Sequence, residues 1–66
     1  MSIVKVIEVI AEGKTIEDAI QSAVKEASRS VENIQQVDLE HCYAKVENNK
    51  VKKYRVNAKI SFIIHH

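Results

Sequence analysis

The 66-residue sequence contains one cysteine, one glycine, no proline and no tryptophan, and aromatic residues make up only 5% of it. Each scarcity excludes something. Cys42 alone cannot form an internal disulfide, and no paired Cys or His spacing resembles a structural zinc site. A single glycine leaves no glycine-rich loop to cradle a phosphate. Ten basic residues against nine acidic ones give a formal net charge of +1, without the concentrated basic footprint that nucleic-acid binding needs. Lys50, Lys52, Lys53, Arg55 and Lys59 do cluster late, but they are spread along a strand pattern with few aromatics to stack bases. No apolar run reaches the length of a membrane span, and "MSIVKVIEVIAEG" is interrupted by Lys5 and Glu8, unlike a signal-peptide core. The expectation is a soluble, cytoplasmic protein with neither nucleic acid nor membrane as partner.

What is present is a single small domain over residues 1–64, with His65 and His66 read as the remnant of a purification tag. A chain of this size hides only about 60% of the surface that its unfolded form exposes. With disulfides and structural zinc excluded, oligomerisation is the remaining common supplement to the core.

The stretch "IVKVIEVI", residues 3–10, is rich in β-branched residues and too short for a typical helix, so it reads as a strand. Ile3, Ile7 and Val9 fall on one face, and Val4, Val6 and Ile10 on the other. One helix can cover only one of these faces, and a subunit contact is the natural cover for the second. Gly13 follows in "AEGK", where a positive φ would be cheap.

"TIEDAIQSAVKEASRSVENI" begins as a helix: Thr15 can accept from the N–H near Asp18, and Glu17 and Asp18 place negative charge at the positive helix end. Ile16, Ala19, Ile20, Ala23, Val24, Ala27, Val31 and Ile34 recur at three-and-four spacing as one apolar stripe. From Val37 the period becomes two, and the switch of apolar face between Leu39 and Cys42 calls for a change of burial or a bulge near His41. "ENNK", residues 47–50, suits a hairpin turn. The last strand alternates Tyr54, Val56, Ala58, Ile60, Phe62 and Ile64 with Lys53, Arg55, Asn57, Lys59 and Ser61. The fold class expected is α+β: a β-α-β-β chain whose three-stranded, antiparallel sheet packs on one helix.

Catalytic candidates are few. His41 and Cys42 are adjacent, and consecutive strand residues point to opposite faces, so the imidazole and thiol diverge. Cys42 reads as a small buried thiol packed as a hydrophobe, and no enzyme activity is expected. Glu8, Glu12, Asp38, Glu40 and Glu47 could supply carboxylates to a metal ion on a symmetry axis, although no calcium-loop spacing is present.

"VKVIEVI", "TIEDAIQSAVKEAS" and "VKKYRVNAKISF", in this order and at this total length, resemble the dodecins, and the likeness runs from Ile3 to about Ile63. The resemblance implies a sheet that partly wraps its helix and a hollow homododecamer with 23 symmetry. It also implies pairs of flavins, riboflavin or FMN, stacked by a tryptophan that begins the second strand and contacted by a glutamine on the third. By position, that tryptophan falls on Gln36 and that glutamine on Arg55, and both depart from the flavin-binding pattern. The implied function is flavin sequestration or storage, weaker than in tryptophan-bearing relatives. The alternative is the same shell without flavin, holding a metal ion or an anionic ligand drawn to Lys53, Arg55 and Lys59.

Overall fold

Four elements follow the expected order in the computed structural model, which describes residues 2–65: β1 (Ser2–Gly13), α1 (Ile16–Ala27), β2 (Ile34–Glu47) and β3 (Lys50–His65). The sheet order is β1-β3-β2, with both pairings antiparallel. The strand with the cleanest alternation therefore occupies the centre. Val56, Ala58, Ile60 and Phe62 are buried, while the intervening Asn57, Lys59 and Ser61 are half-buried on the opposite face. β3 runs on through His65, which pairs with Ser2; His66, the other half of the expected tag remnant, lies outside the described residues.

The helix starts as its sequence dictates. Thr15 Oγ1 accepts from the Asp18 N–H at 3.0 Å, and Glu17 and Asp18 occupy the first turn. It ends earlier than the apolar spacing suggests, at Ala27 rather than near Ile34. Ser30 and Val31 both direct their N–H groups at the Ala27 carbonyl, 3.0 Å away, which winds the last turn off its axis. Asn33, with φ 61°, then turns the chain into β2. Val31 and Ile34 still pack on the core, but from outside the helix.

Gly13 also has a different reason from the expected one. No glycine among the described residues has a positive φ. A Cβ at Gly13 would instead lie 2.5 Å from the Ala19 backbone nitrogen and 2.9 Å from the Asp18 carbonyl carbon. The missing side chain lets the end of β1 run against the first turn of α1. At the hairpin the expectation holds: Asn48 and Asn49 have φ 52° and 61°, the left-handed pair required by a two-residue primed turn.

Length decides where the core sits. Twelve helical residues span about 18 Å, whereas the sixteen residues of β3 span about 53 Å, matching a longest molecular dimension of 52 Å. The helix covers about a third of the sheet. Ala19, Ala23 and Ala27 are buried there against β3, their small side chains allowing close approach, and Ile7, Val9, Ala11 and Val37 close the edges. Cys42 lies opposite the fully buried Val56, but on the edge strand β2, which the helix covers least, so the thiol expected to be buried is exposed.

The outer face of β1 is left largely uncovered by the described residues. Val4, Val6 and Ile10 are 62%, 53% and 64% exposed. The isolated chain presents 5067 Å² to solvent, against about 4,200 Å² for a compact monomer of this mass. Its radius of gyration is 13.7 Å, where a globular domain of this length has about 11 Å.

Candidate ligand-binding face

Two irregularities in β2 decide which side chains reach the face away from the helix. Ile34 pairs with Phe62 and Gln36 with Ser61, so Gln35 is an extra residue in the ladder. Without it, Ile34 and Gln36 would share a face. With it, Ile34 points to the core and Gln36 to the open side, in a cross-sheet row with Ser61 and Val6. The two glutamines then differ in role. Gln35 Nε2 donates to the Asn33 carbonyl at 3.2 Å, whereas the exposed Gln36 side chain makes no hydrogen bond among the described residues.

The second irregularity is the bulge expected near His41. Leu39 pairs with Ala58 and His41 with Asn57, leaving Glu40 as the extra residue. It turns Tyr43 to the open face, opposite Arg55, and Cys42 to the inner face, opposite Val56. His41 and Cys42 therefore diverge, as adjacent strand residues should.

Tyr43, Arg55, Lys53 and Glu12 form one cluster on the open face. Glu12 Oε2 accepts from Arg55 Nε at 2.9 Å and lies 2.8 Å from Nη2, and its other oxygen lies 3.1 Å from Lys53 Nζ. The Arg55 guanidinium carbon sits 5.9 Å from the Tyr43 ring centroid, within cation–π range. Hydrogen bonds from Lys53 and Arg55 hold the Glu12 carboxyl below the usual glutamate range. Further along, Lys59 and Glu40 pair at 2.5 Å, and this contact lowers the Glu40 pKa and raises that of Lys59. A shallow cavity of about 250 Å³ lies beside them, lined by Glu8, Ile10, Asn57 and Lys59, with the buried Asn57 Oδ1 lacking a donor among the described residues.

The two positions singled out in the sequence do not meet within one chain. Gln36 lies opposite Ser61, six residues along β3 from Arg55, a separation of about 20 Å. Within one chain they border separate parts of the open face. Nor do the candidate carboxylates converge: among the described residues no three His, Cys, Asp or Glu groups form a metal-binding set. Glu12, Glu40 and Glu47 each face a lysine instead. Sequence reasoning missed Tyr43 as a member of this face, although the bulge it foresaw at His41 was the signal that places it there.

A family model described as Dodecin matches residues 3–65. The chain belongs to the dodecin family. Solved dodecins share its fold at low sequence identity. An arginine-to-alanine variant of the Thermus thermophilus dodecin is 19% identical over the whole of both chains, with a TM-score of 0.90. The Streptomyces davaonensis dodecin is 14% identical, covering 98% of this chain and 97% of its own, with a TM-score of 0.88. For the Streptomyces coelicolor dodecin the identity is 20%, the coverage 98% and 94%, and the TM-score 0.88. No curated protein sequence matches the chain significantly.

For a dodecin, the residues present fit a flavin incompletely. Gln36 offers an amide where ring stacking would need an aromatic face, and the Arg55 guanidinium is already engaged by Glu12. What remains suitable is an unbonded amide beside the exposed valines of β1.

Proposed function

We propose that this dodecin self-assembles into a closed shell of twelve chains and holds riboflavin or FMN weakly, as a non-enzymatic store or buffer in the cytoplasm. The reading rests on the family membership, because a fold alone does not carry a function. The observation that carries the site is the row of Val6, Ser61 and Gln36 across the uncovered face. Val6 and its exposed neighbour Val4 give apolar surface for a planar ring system, and the Gln36 amide can donate to, or accept from, the ring edge. The excess exposed surface of the single chain supports burial between copies.

The alternative of an anionic or metal ligand draws less support. Glu12 engages both Lys53 and Arg55, leaving one positive charge in excess there, and Glu40 engages Lys59, so among the described residues each of these three cations already has a carboxylate partner. The same pairings favour uncharged riboflavin over FMN, whose phosphate would have to compete with two glutamates.

Titrating the assembled protein into riboflavin and FMN, with flavin fluorescence as readout, tests the binding. Saturable quenching is expected at micromolar protein, stronger for riboflavin, and its absence for both ligands overturns the proposal. Light scattering tests the shell separately. Twelve chains of 7.5 kDa give a particle of about 90 kDa, and a particle of single-chain mass removes the assembly.

A further inference from the structure

The row of Val6, Ser61 and Gln36 has a neighbour of different character. Two residues further along each strand, about 7 Å away, Glu8 stands opposite Lys59 and Lys59 opposite Asp38. Glu40, the extra residue of the bulge, also reaches this row and forms the ion pair of Lys59. Three carboxylates around one ammonium leave two negative charges in excess. The field of all three is felt at Lys59, whose pKa is raised by Glu40 first and by Glu8 and Asp38 after it. Glu8 and Asp38 themselves have no ion pair among the described residues.

The cavity of about 250 Å³ opens in this row and reaches the next, where Ile10 stands opposite Asn57. Its polar lining is rich in acceptors and short of donors. Asn57 Oδ1 is buried and has no donor among the described residues, a state whose desolvation cost a ligand hydroxyl would relieve. The Glu8 carboxylate beside it is free, while the one ammonium, Lys59, is taken by Glu40. Such a lining suits a chain of hydroxyl groups and opposes an anion.

Riboflavin and FMN differ at this point of their structures. Both carry a polyol tail on the ring, and its hydroxyls can donate; the tail of FMN ends in a phosphate, with about −1.5 to −2 charges at neutral pH. The tail has one favourable direction along the sheet. On the other side of the ring row stands Val4 opposite Ile63, which offers it no polar side chain. The cations that could hold a phosphate begin at Arg55, six residues and about 20 Å along β3 from Ser61.

We propose that this acidic row is the specificity filter of the flavin site: with the ring on the row of Val6 and Gln36, the polyol tail enters the cavity and donates to Glu8 and Asn57 Oδ1, while Glu8 and Asp38 repel a tail that ends in phosphate. The inference rests on the flavin reading of the proposed function and adds the direction of the tail and the residues that choose between the two flavins.

The test compares riboflavin, FMN and lumiflavin, which has the same ring with a methyl group in place of the tail, in fluorescence titrations of the full chain at low and high salt. Wild type should bind riboflavin about tenfold more tightly than lumiflavin, the worth of one hydrogen bond to a charged group. It should also prefer riboflavin to FMN, by a margin that narrows as salt screens the repulsion. Glu8 and Asp38 are both exposed, so Glu8→Gln combined with Asp38→Asn should fold normally by circular dichroism. That variant should lose most of the preference for riboflavin over FMN. Asn57→Ala should lower the riboflavin-to-lumiflavin affinity ratio, whereas an amide with a purely structural role would weaken both ligands by the same factor. If lumiflavin binds wild type as tightly as riboflavin, or the double variant keeps the full preference over FMN, the filter is refuted while flavin binding stands. If none of the three flavins binds, the flavin reading and the filter fall together.

Discussion

Replacing Gly13 by alanine tests whether the close approach of β1 to α1, rather than backbone freedom, demands a glycine there. The added methyl would lie 2.5 Å from the Ala19 nitrogen and 2.9 Å from two Asp18 carbons. Two of these neighbours are backbone atoms, and that backbone is pinned. Ala19 N donates to the Thr15 carbonyl at 3.1 Å, and Asp18 N donates to the Thr15 hydroxyl at 3.0 Å. The strand end or the helix start must therefore move, an overpacking cost of about 1–3 kcal/mol. Against it stands the reduced entropy of the unfolded chain on replacing glycine, worth about 0.4–1 kcal/mol where the backbone conformation is compatible. The net loss is about 1–2 kcal/mol, which for a domain of this size lowers Tm by roughly 5–15 °C. Thermal unfolding by circular dichroism should be compared at equal protein concentration, because assembly shifts the apparent Tm. Gly13→Asn separates the two explanations. If positive φ were the requirement, asparagine would be tolerated better than alanine; a steric requirement makes it at least as harmful. An alanine variant as stable as wild type would refute the packing argument.

Three more expectations follow from the same geometry. Gln36→Trp should tighten riboflavin binding, with stacking alone contributing about 0.5–1.5 kcal/mol, or roughly 2- to 12-fold in Kd, in the same fluorescence titration; an unchanged Kd would mean that Gln36 does not border the ligand. Ile60→Ala empties a fully buried position at the centre of the core and should cost about 2–5 kcal/mol, read as a lower urea midpoint with little change in slope. Glu12 and Glu40 have depressed pKa values when folded, so their stabilising effect is present above the ordinary glutamate pKa and is lost as pH falls through the folded values. Both carboxylates are about a third exposed and screened by solvent, so the acid limb of stability against pH should be shallow, and shallower still in Glu12→Gln.

Much of the fold was legible because each element carries a local signal. Thr15 with Glu17 and Asp18 marked the helix start, the Asn48–Asn49 pair marked the turn, and alternation from Tyr54 to Ile64 marked the central strand. The helix end was not legible, since Val31 and Ile34 continue a three-and-four spacing by coincidence while packing from a turn and a strand. Cys42 was misjudged because apolar alternation tells which face a residue shares, but not that its strand lies at the edge of the sheet, where the cover over the central Val56 does not extend to its neighbour. On the binding face, the bulge at Glu40 announced itself through a shift of apolar phase, whereas the one at Gln35 did not, because two identical polar neighbours hide which of them is the extra residue. The partnership of Glu12 with Lys53 and Arg55 spans more than forty positions and depends on strand register, which no local pattern encodes.

The extra residue at Glu40 works as a frame marker in three dimensions. Deleting it would leave the composition almost unchanged, yet it would exchange the faces of the strand from His41 to Lys45, sending Tyr43 inward and Cys42 toward the cationic side of Arg55. Spacing counted across this point compares residues that never share a surface. Among dodecins that differ by one residue here, the same letter in the same column can serve opposite sides of the sheet, and a transfer of function by position holds only within one phase of the strand.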